Sequence, residues 1–181
     1  MPWPAVWCDI FLVSSNIGTD VRFWKHWTAE WGCDKQAWLA DYLAKHGRYG
    51  PTRKRIEILF EQLPQGRCLE TNAFSAPSST VSQLTAAQRD SRVFEFLLET
   101  MRPRLVFAHG KPAVEHLERG TNIALAHGVF HKVRYRGIEF EVITGHHLAY
   151  QWSDAAVKEL GALMAERYRS YRHGGSQSAS Q

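Results

Sequence analysis

Asn16, Asn72, His109 and the pair His146-His147 each stand at the point where an apolar run of the chain gives way to turn-forming residues. Two amides and one or more imidazoles suit recognition of a planar polar group through hydrogen bonds. An amide does not titrate, so Asn16 can orient a water or offset a positive charge but cannot remove a proton. It is equally suited to a turn that needs a positive φ. An imidazole can donate to an oxygen that gains negative charge, a role that requires it to be preorganised and dry. His146 is the candidate and His147 the neighbour that rivals it; a satisfied structural histidine is the plainer account of either. Asp20 is the nearest carboxylate, able to assist a water or a cation, or to cap a helix from residue 21. Asp9, before the first apolar run, is expected to be structural. Asn72 equally fits a turn at a strand end. The set lacks the glycine-rich loop and lysine spacing of a phosphate-binding loop, and it lacks a serine or cysteine nucleophile motif.

The elements that must carry these residues follow from the apolar pattern. Residues 10–14 (Ile-Phe-Leu-Val-Ser) and 104–108 (Arg-Leu-Val-Phe-Ala) are short runs suited to buried strands. Residues 67–71 form a third strand candidate ending at Asn72, and residues 130–135 and 138–143 a hairpin across Arg136-Gly137. Helices are expected from Asp34, as N-cap, through Lys45 with Gly47 past its end, from Thr52 to Leu63, over residues 86–101, from Lys111-Pro112 to about Glu118, and from the cap Ser153 through Tyr168. Strands that alternate with helices predict an α/β fold: three layers, α/β/α, around a central, mostly parallel four-stranded sheet. In such sheets ligands bind beyond the carboxyl ends of the strands. That rule brings Asn16, Asn72, His109 and His146/His147 to one rim.

A length of 181 residues fits one domain. We expect it over residues 1–173, with a Gly/Ser/Gln-rich disordered tail at 174–181. Hydrophobic residues make up 44% and charged residues 22%, which excludes a mostly disordered chain. No apolar run approaches the ~20 residues of a membrane-spanning helix. Cys8, Cys33 and Cys68 are far apart and form no CxxC pair, so neither a disulfide framework nor a standard zinc site is expected. With no signal-like N-terminus, a reducing, cytoplasmic location is expected. The net charge of +4 permits a polyanionic partner without requiring one. Trp24, Trp27, Trp31 and Trp38 crowd into fifteen residues. They serve either as core or as a wall on which planar rings stack.

In their order and placement these loops resemble the uracil-DNA glycosylase superfamily, over residues 9–168. Ser15-Asn16-Ile17-Gly18 is similar to the first family motif in its G-I-N-P-G form, and Leu69-Glu70-Thr71-Asn72 to the strand whose terminal Asn reads the flipped base. Residues 105–113 resemble the strand–Gly–x–x–Ala step, and Gly145-His146-His147-Leu148 stands where the family has H-P-S. The departures are Ile17 for a proline and His147-Leu148 for Pro-Ser. Gly18 also stands where strict uracil enzymes carry a tyrosine that excludes 5-substituted pyrimidines.

The resemblance implies a monofunctional DNA glycosylase, a monomer acting on DNA, with no metal or organic cofactor. Such an enzyme extrudes a base from the stack before cleaving its N-glycosidic bond. Asn16 would orient the water and His146 would donate to the departing base, with Asp20 assisting. Asn72 would read a pyrimidine edge, of uracil in one amide rotamer and of cytosine in the other. Gly18 would leave room at C5, and Phe23 or Trp24 would stack on the base. Arg53, Lys54, Arg55 and Lys111 are candidate phosphate contacts or a solvated helix face. His147, Leu148, Tyr150 and Trp152 are candidates to meet DNA, one of them as a wedge. The open pocket favours a modified pyrimidine, with α-glucosylated 5-hydroxymethylcytosine of phage DNA leading and anti-phage defence as the setting. A uracil or mismatch repair glycosylase is the alternative, and a non-catalytic nucleic-acid-binding module is another.

Overall fold

The computed structural model describes residues 8–16, 18, 23–28, 32–78 and 80–174. Strand β1 (Ile10–Asn16) is apolar on both faces at its start, with Ile10, Phe11, Leu12 and Val13 all buried. A strand so patterned belongs in the middle of a parallel sheet covered on both sides. It pairs in parallel with β4 (Cys68–Phe74) on one side and with β5 (Leu105–His109) on the other. Beyond β5 lies β7 (Ile138–Gly145), again parallel, and beyond β7 the antiparallel β6 (Phe130–Tyr135). The order is β4-β1-β5-β7-β6. The sheet has five strands rather than the expected four because the first arm of the hairpin joins it as an edge. The hairpin turns at Arg136 and Gly137 with φ of 49° and 82°. Two successive positive φ angles match the right-handed twist of the flanking strands. A separate two-stranded ribbon, β2 (Trp27–Thr28) with β3 (Gly32–Cys33), follows a 3-10 turn at Phe23–His26.

Period-two alternation sorts the sheet into its two covered faces. Phe11, Val13, Val106, Ala108 and Val142 pack with α3 (Arg92–Met101) and α4 (Lys111–Thr121), through Phe94, Leu98, Val114 and Leu117. Ile10, Leu12, Leu105, Phe107 and Ile143 pack with α2 (Pro51–Gln62) and α5 (Asp154–Gly174), through Ile56, Leu59, Val157, Leu160 and Met164. Gly161 lets α5 approach α2; a Cβ there would lie 2.8 Å from Gln62. The outlying α1 (Lys35–His46) buries none of its residues. It is capped by Asp34, whose carboxylate accepts from the Ala37 N–H at 3.0 Å, and ends on Gly47 at φ 70°. It rests on α2 through Lys35, which lies 2.7 Å from Glu57 and over the Phe60 ring. No helix among the described residues is long and apolar enough to cross a membrane.

Several element ends differ from expectation: β1 runs on to Asn16, β7 to Gly145 and α5 to Gly174. Helix α3 begins at Arg92, not near residue 86, because residues 85–89 close on themselves in turns anchored by Thr85 and Gln88. Strand β4 runs on to Phe74, since Ala73 and Phe74 are buried, so Asn72 sits inside the strand and not after it. Helix α4 continues to Thr121. It includes Gly120 because the Tyr135 ring lies against that position, where a Cβ would be 1.8 Å from Cε2. The tail beyond Gly174 lies outside the described residues.

Candidate functional site

After β1 the chain passes to α1 and α2 on one face of the sheet; after β5 it enters α4 on the other. The carboxyl ends of β1 and β5 therefore bracket the topological switch point, where open α/β sheets bind ligands. The strand registers align a row of residues there. Ser14 pairs with Asn72, Val13 with Ala108 one step before Ser14 and His109, and His109 with Gly145. Asn72, Ser14, His109 and Gly145 thus form one row across four parallel strands, on the face of Leu12, Phe107 and Ile143. The Ser14 hydroxyl donates to Asn72 Oδ1, which fixes the amide against β1. Asn16, two residues past Ser14 on the same face, donates through Nδ2 to the Ser78 carbonyl at 2.7 Å. Ser14, which the sequence pattern places only as the last residue of an apolar run, faces the site by its alternation with Leu12 and Asn16.

The middle of the row is dry. His109 is 1% exposed, stacks on Phe107 at 5.6 Å and meets the His147 ring edge at 5.2 Å. Burial, then the nearby His147, lowers its pKa to about 3, so the imidazole is neutral. Its Nδ1 accepts the Leu148 N–H at 3.5 Å, which leaves the proton on Nε2. Gly110 follows with φ 85°, and a Cβ on it would lie 3.0 Å from His147 Cδ2 and 3.4 Å from Ser15 Oγ. Only glycine suits that backbone and that space. Lys111 then opens α4 with its side chain in solvent, 3.7 Å from Glu115.

The rim beyond β7 is a tight loop. Gly145 makes room for Trp152, since a Cβ would lie 2.8 Å from Cζ2. His146 is exposed, its ring edge-on to His127 at 4.6 Å and its carbonyl accepting from Trp152 Nε1 at 3.0 Å. His147 is half-buried, and burial holds its pKa below the usual histidine value. Its Nδ1 accepts the Ala149 N–H at 3.1 Å, so Nε2 keeps the proton as a donor. Leu148 is fully buried in the α2/α5 core, whereas Tyr150 is 71% exposed. Of the apolar residues expected to meet DNA here, the loop turns Leu148 inward and Tyr150 outward. Trp152 packs edge-on against Phe107 at 6.4 Å.

The basic triplet on α2 is engaged within the chain. Arg53 pairs with Glu57 at 2.9 Å and Glu70 at 2.5 Å and lies over the Trp38 ring. Lys54 pairs with Asp154 at 2.5 Å. Arg55 donates to the carbonyls of Leu148 and Trp152. Each of the three has an acceptor on a neighbouring element, Arg53 and Arg55 with partly buried side chains and Lys54 with an exposed one. Gly18 is exposed, and a Cβ there meets nothing within 4 Å among the described residues. Asp20 and the side chains of Phe23 and Trp24 lie outside the described residues. Asp9 accepts from Tyr168 at 2.6 Å at the amino end of the sheet, a structural tie.

The three thiols are held toward their protonated form. Burial raises the pKa of Cys8 and Cys33 and pushes Cys68 up to about 12. Among the described residues no three of His, Cys, Asp and Glu gather as a metal-holding group. An open crevice at the opposite end of the sheet is lined by Arg104, Lys132, Glu139, Glu141 and Tyr171. Its acids are neutralised in pairs, Glu141 by Arg167 and Glu139 by Arg134. Neither the family models nor the curated proteins with which the chain was compared provide a match.

Proposed function

We propose that this chain is a monofunctional DNA glycosylase that accepts an extruded base at the β1/β5 switch point. One observation carries the reading: a half-buried imidazole, His147, holds its proton on Nε2 and stands against His109 in a row of amide and hydroxyl groups at the carboxyl end of the sheet. From β4 to β7 the row spans three strand spacings, about 14 Å, with Ser14 and His109 standing between Asn72 and Gly145. Cleavage sends the glycosidic electron pair to the base and leaves a cationic sugar. A water then adds at the sugar carbon and its proton passes, through solvent, to the released base anion. Asn72 reads the base edge. A neutral imidazole donates to the base oxygen as negative charge develops, and Asn16 orients the water. His147 meets the requirement of a preorganised, desolvated donor better than His146, which stands in solvent.

Glycine at position 18, with nothing among the described residues within 4 Å of a Cβ there, favours a pyrimidine with a bulky C5 group, and α-glucosylated 5-hydroxymethylcytosine in phage DNA is the leading substrate. Anti-phage defence would then be the setting. The enzyme is proposed to act as a cytoplasmic monomer with no cofactor. Purified protein is incubated with oligonucleotides carrying uracil or mismatches and with glucosylated phage DNA, and abasic sites are scored by alkaline cleavage. Abasic sites in the glucosylated DNA, lost in Gly18→Tyr with the melting temperature unchanged, are expected. Excision of plain uracil alone rejects the substrate and leaves a repair enzyme. DNA binding with no abasic sites on any substrate rejects the enzyme and leaves a binding module.

A further inference from the structure

Arg55 stands one turn into α2, far in sequence from the rim loop, and both arms of its guanidinium are spent on that loop. One arm donates to the Leu148 carbonyl and the other to the Trp152 carbonyl. These two acceptors bracket residues 148–152. Everything that shapes the bracketed segment depends on where its ends are held. The Leu148 N–H goes to His109, the Ala149 N–H to His147 Nδ1, and the Tyr150 N–H to the His147 carbonyl at 2.9 Å. Gln151 takes φ 59°, a conformation that a non-glycine residue keeps only where its surroundings enforce it. Both of Arg55's acceptors are neutral carbonyls, and the adjacent carboxylate of Asp154 is taken by Lys54. The residue is therefore used for its shape. A planar fork reaches two diverging carbonyls at once, whereas a lysine ammonium reaches one with the same charge.

We infer that Arg55 is a positioning residue. Its guanidinium sets the 148–152 loop, and through the Ala149 N–H it sets the tautomer and place of the His147 imidazole. The effect on the loop stands on its own; the effect on cleavage rests on the proposed role of His147. The inference separates Arg55 from a phosphate contact, for which charge alone matters.

Hydrogen exchange of the Leu148, Ala149 and Tyr150 amides is compared in the full-length wild type, Arg55→Lys and Arg55→Met, with the β5 amides as the folding control. Single-turnover cleavage and DNA affinity are measured on the same proteins. Both variants are expected to speed exchange at the three loop amides by about tenfold or more, with β5 still protected. They should also slow cleavage about tenfold or more while affinity changes less than about threefold. Wild-type loop exchange in Arg55→Lys overturns the inference. So does an Arg55→Met protein that loses affinity which Arg55→Lys restores, with exchange unchanged. Loss of β5 protection in both variants overturns the local role. Faster loop exchange in a protein that cleaves no substrate upholds the positioning of the loop and rejects the glycosylase reading alone.

Discussion

Gly110→Ala perturbs the switch point at its tightest place. Gly110 has φ 85° and ψ 136°, a region essentially reserved for glycine. Forcing a residue with a Cβ there costs of order 1–3 kcal/mol. The new Cβ would lie 3.0 Å from His147 Cδ2 and 3.4 Å from both His147 Cβ and Ser15 Oγ. Carbon pairs settle at about 3.5–4.0 Å. His147 must therefore shift by several tenths of an ångström beside a neighbour, His109, that is itself packed on Phe107. A strained core contact of this kind adds about 1 kcal/mol or more. The sum is about 2–4 kcal/mol. In a domain of this size that lowers the melting temperature by roughly 4–16 °C. Urea unfolding at neutral pH reads it as a fall in midpoint at constant slope. Gly18→Ala is the control, since among the described residues its Cβ meets nothing within 4 Å. It should change stability by less than about 1 kcal/mol. Equal midpoints for the two variants would refute the conformation assigned to Gly110.

Two further outcomes follow from buried groups. His109 stays neutral in the folded protein down to about pH 3, whereas an unfolded histidine protonates near 6.5. Between these values the unfolded chain binds the extra proton, so stability falls as pH falls, by about 1.4 kcal/mol per pH unit from this group, and levels off below pH 3. His109→Asn keeps an acceptor for Leu148 but does not titrate, so urea midpoints at pH 6.5 and 5.5 should differ less than in the wild type; parallel shifts in the two proteins would contradict this. Gly120→Ala would drive a Cβ into Tyr135, whose hydroxyl meets Glu95 and His116. It should cost about 1–3 kcal/mol alone and far less in a Tyr135→Ala background, a coupling that a double-mutant cycle reads directly.

The framework of the fold was legible because it depends on local pattern. The runs of β1 and β5 are apolar on both faces, as central parallel strands must be. Arg136-Gly137 and the caps Asp34 and Ser153 carry their turn chemistry in their own residue types, and Ser153 Oγ duly accepts the Ala156 N–H at 3.0 Å. The rule that loops after parallel strands share a rim was enough to select Asn16, Asn72, His109 and the His146-His147 pair. What stayed hidden depends on distant partners. Arg55 and Leu148 lie 93 residues apart, and only tertiary structure joins them. A basic triplet is therefore the same on paper whether it faces phosphate or an internal carbonyl. The inward turn of Leu148, the desolvation of His109 and the hydroxyl–amide contact of Ser14 and Asn72 likewise arise from packing between elements. The strand-end reading of Asn72 failed because burial of Ala73 and Phe74 extends β4 past it.

The central claim, base excision at the β1/β5 switch point, is tested most directly by single-turnover release of abasic sites from glucosylated DNA by wild type, His147→Ala, Asn16→Ala and His146→Ala. Removing a preorganised donor to a developing anion typically slows the chemical step roughly 100–1,000-fold. The account predicts such a loss for His147→Ala and a loss of at least about tenfold for Asn16→Ala, each with nearly unchanged DNA affinity, and a loss below about tenfold for His146→Ala. Wild-type rates in both His147→Ala and Asn16→Ala would contradict it.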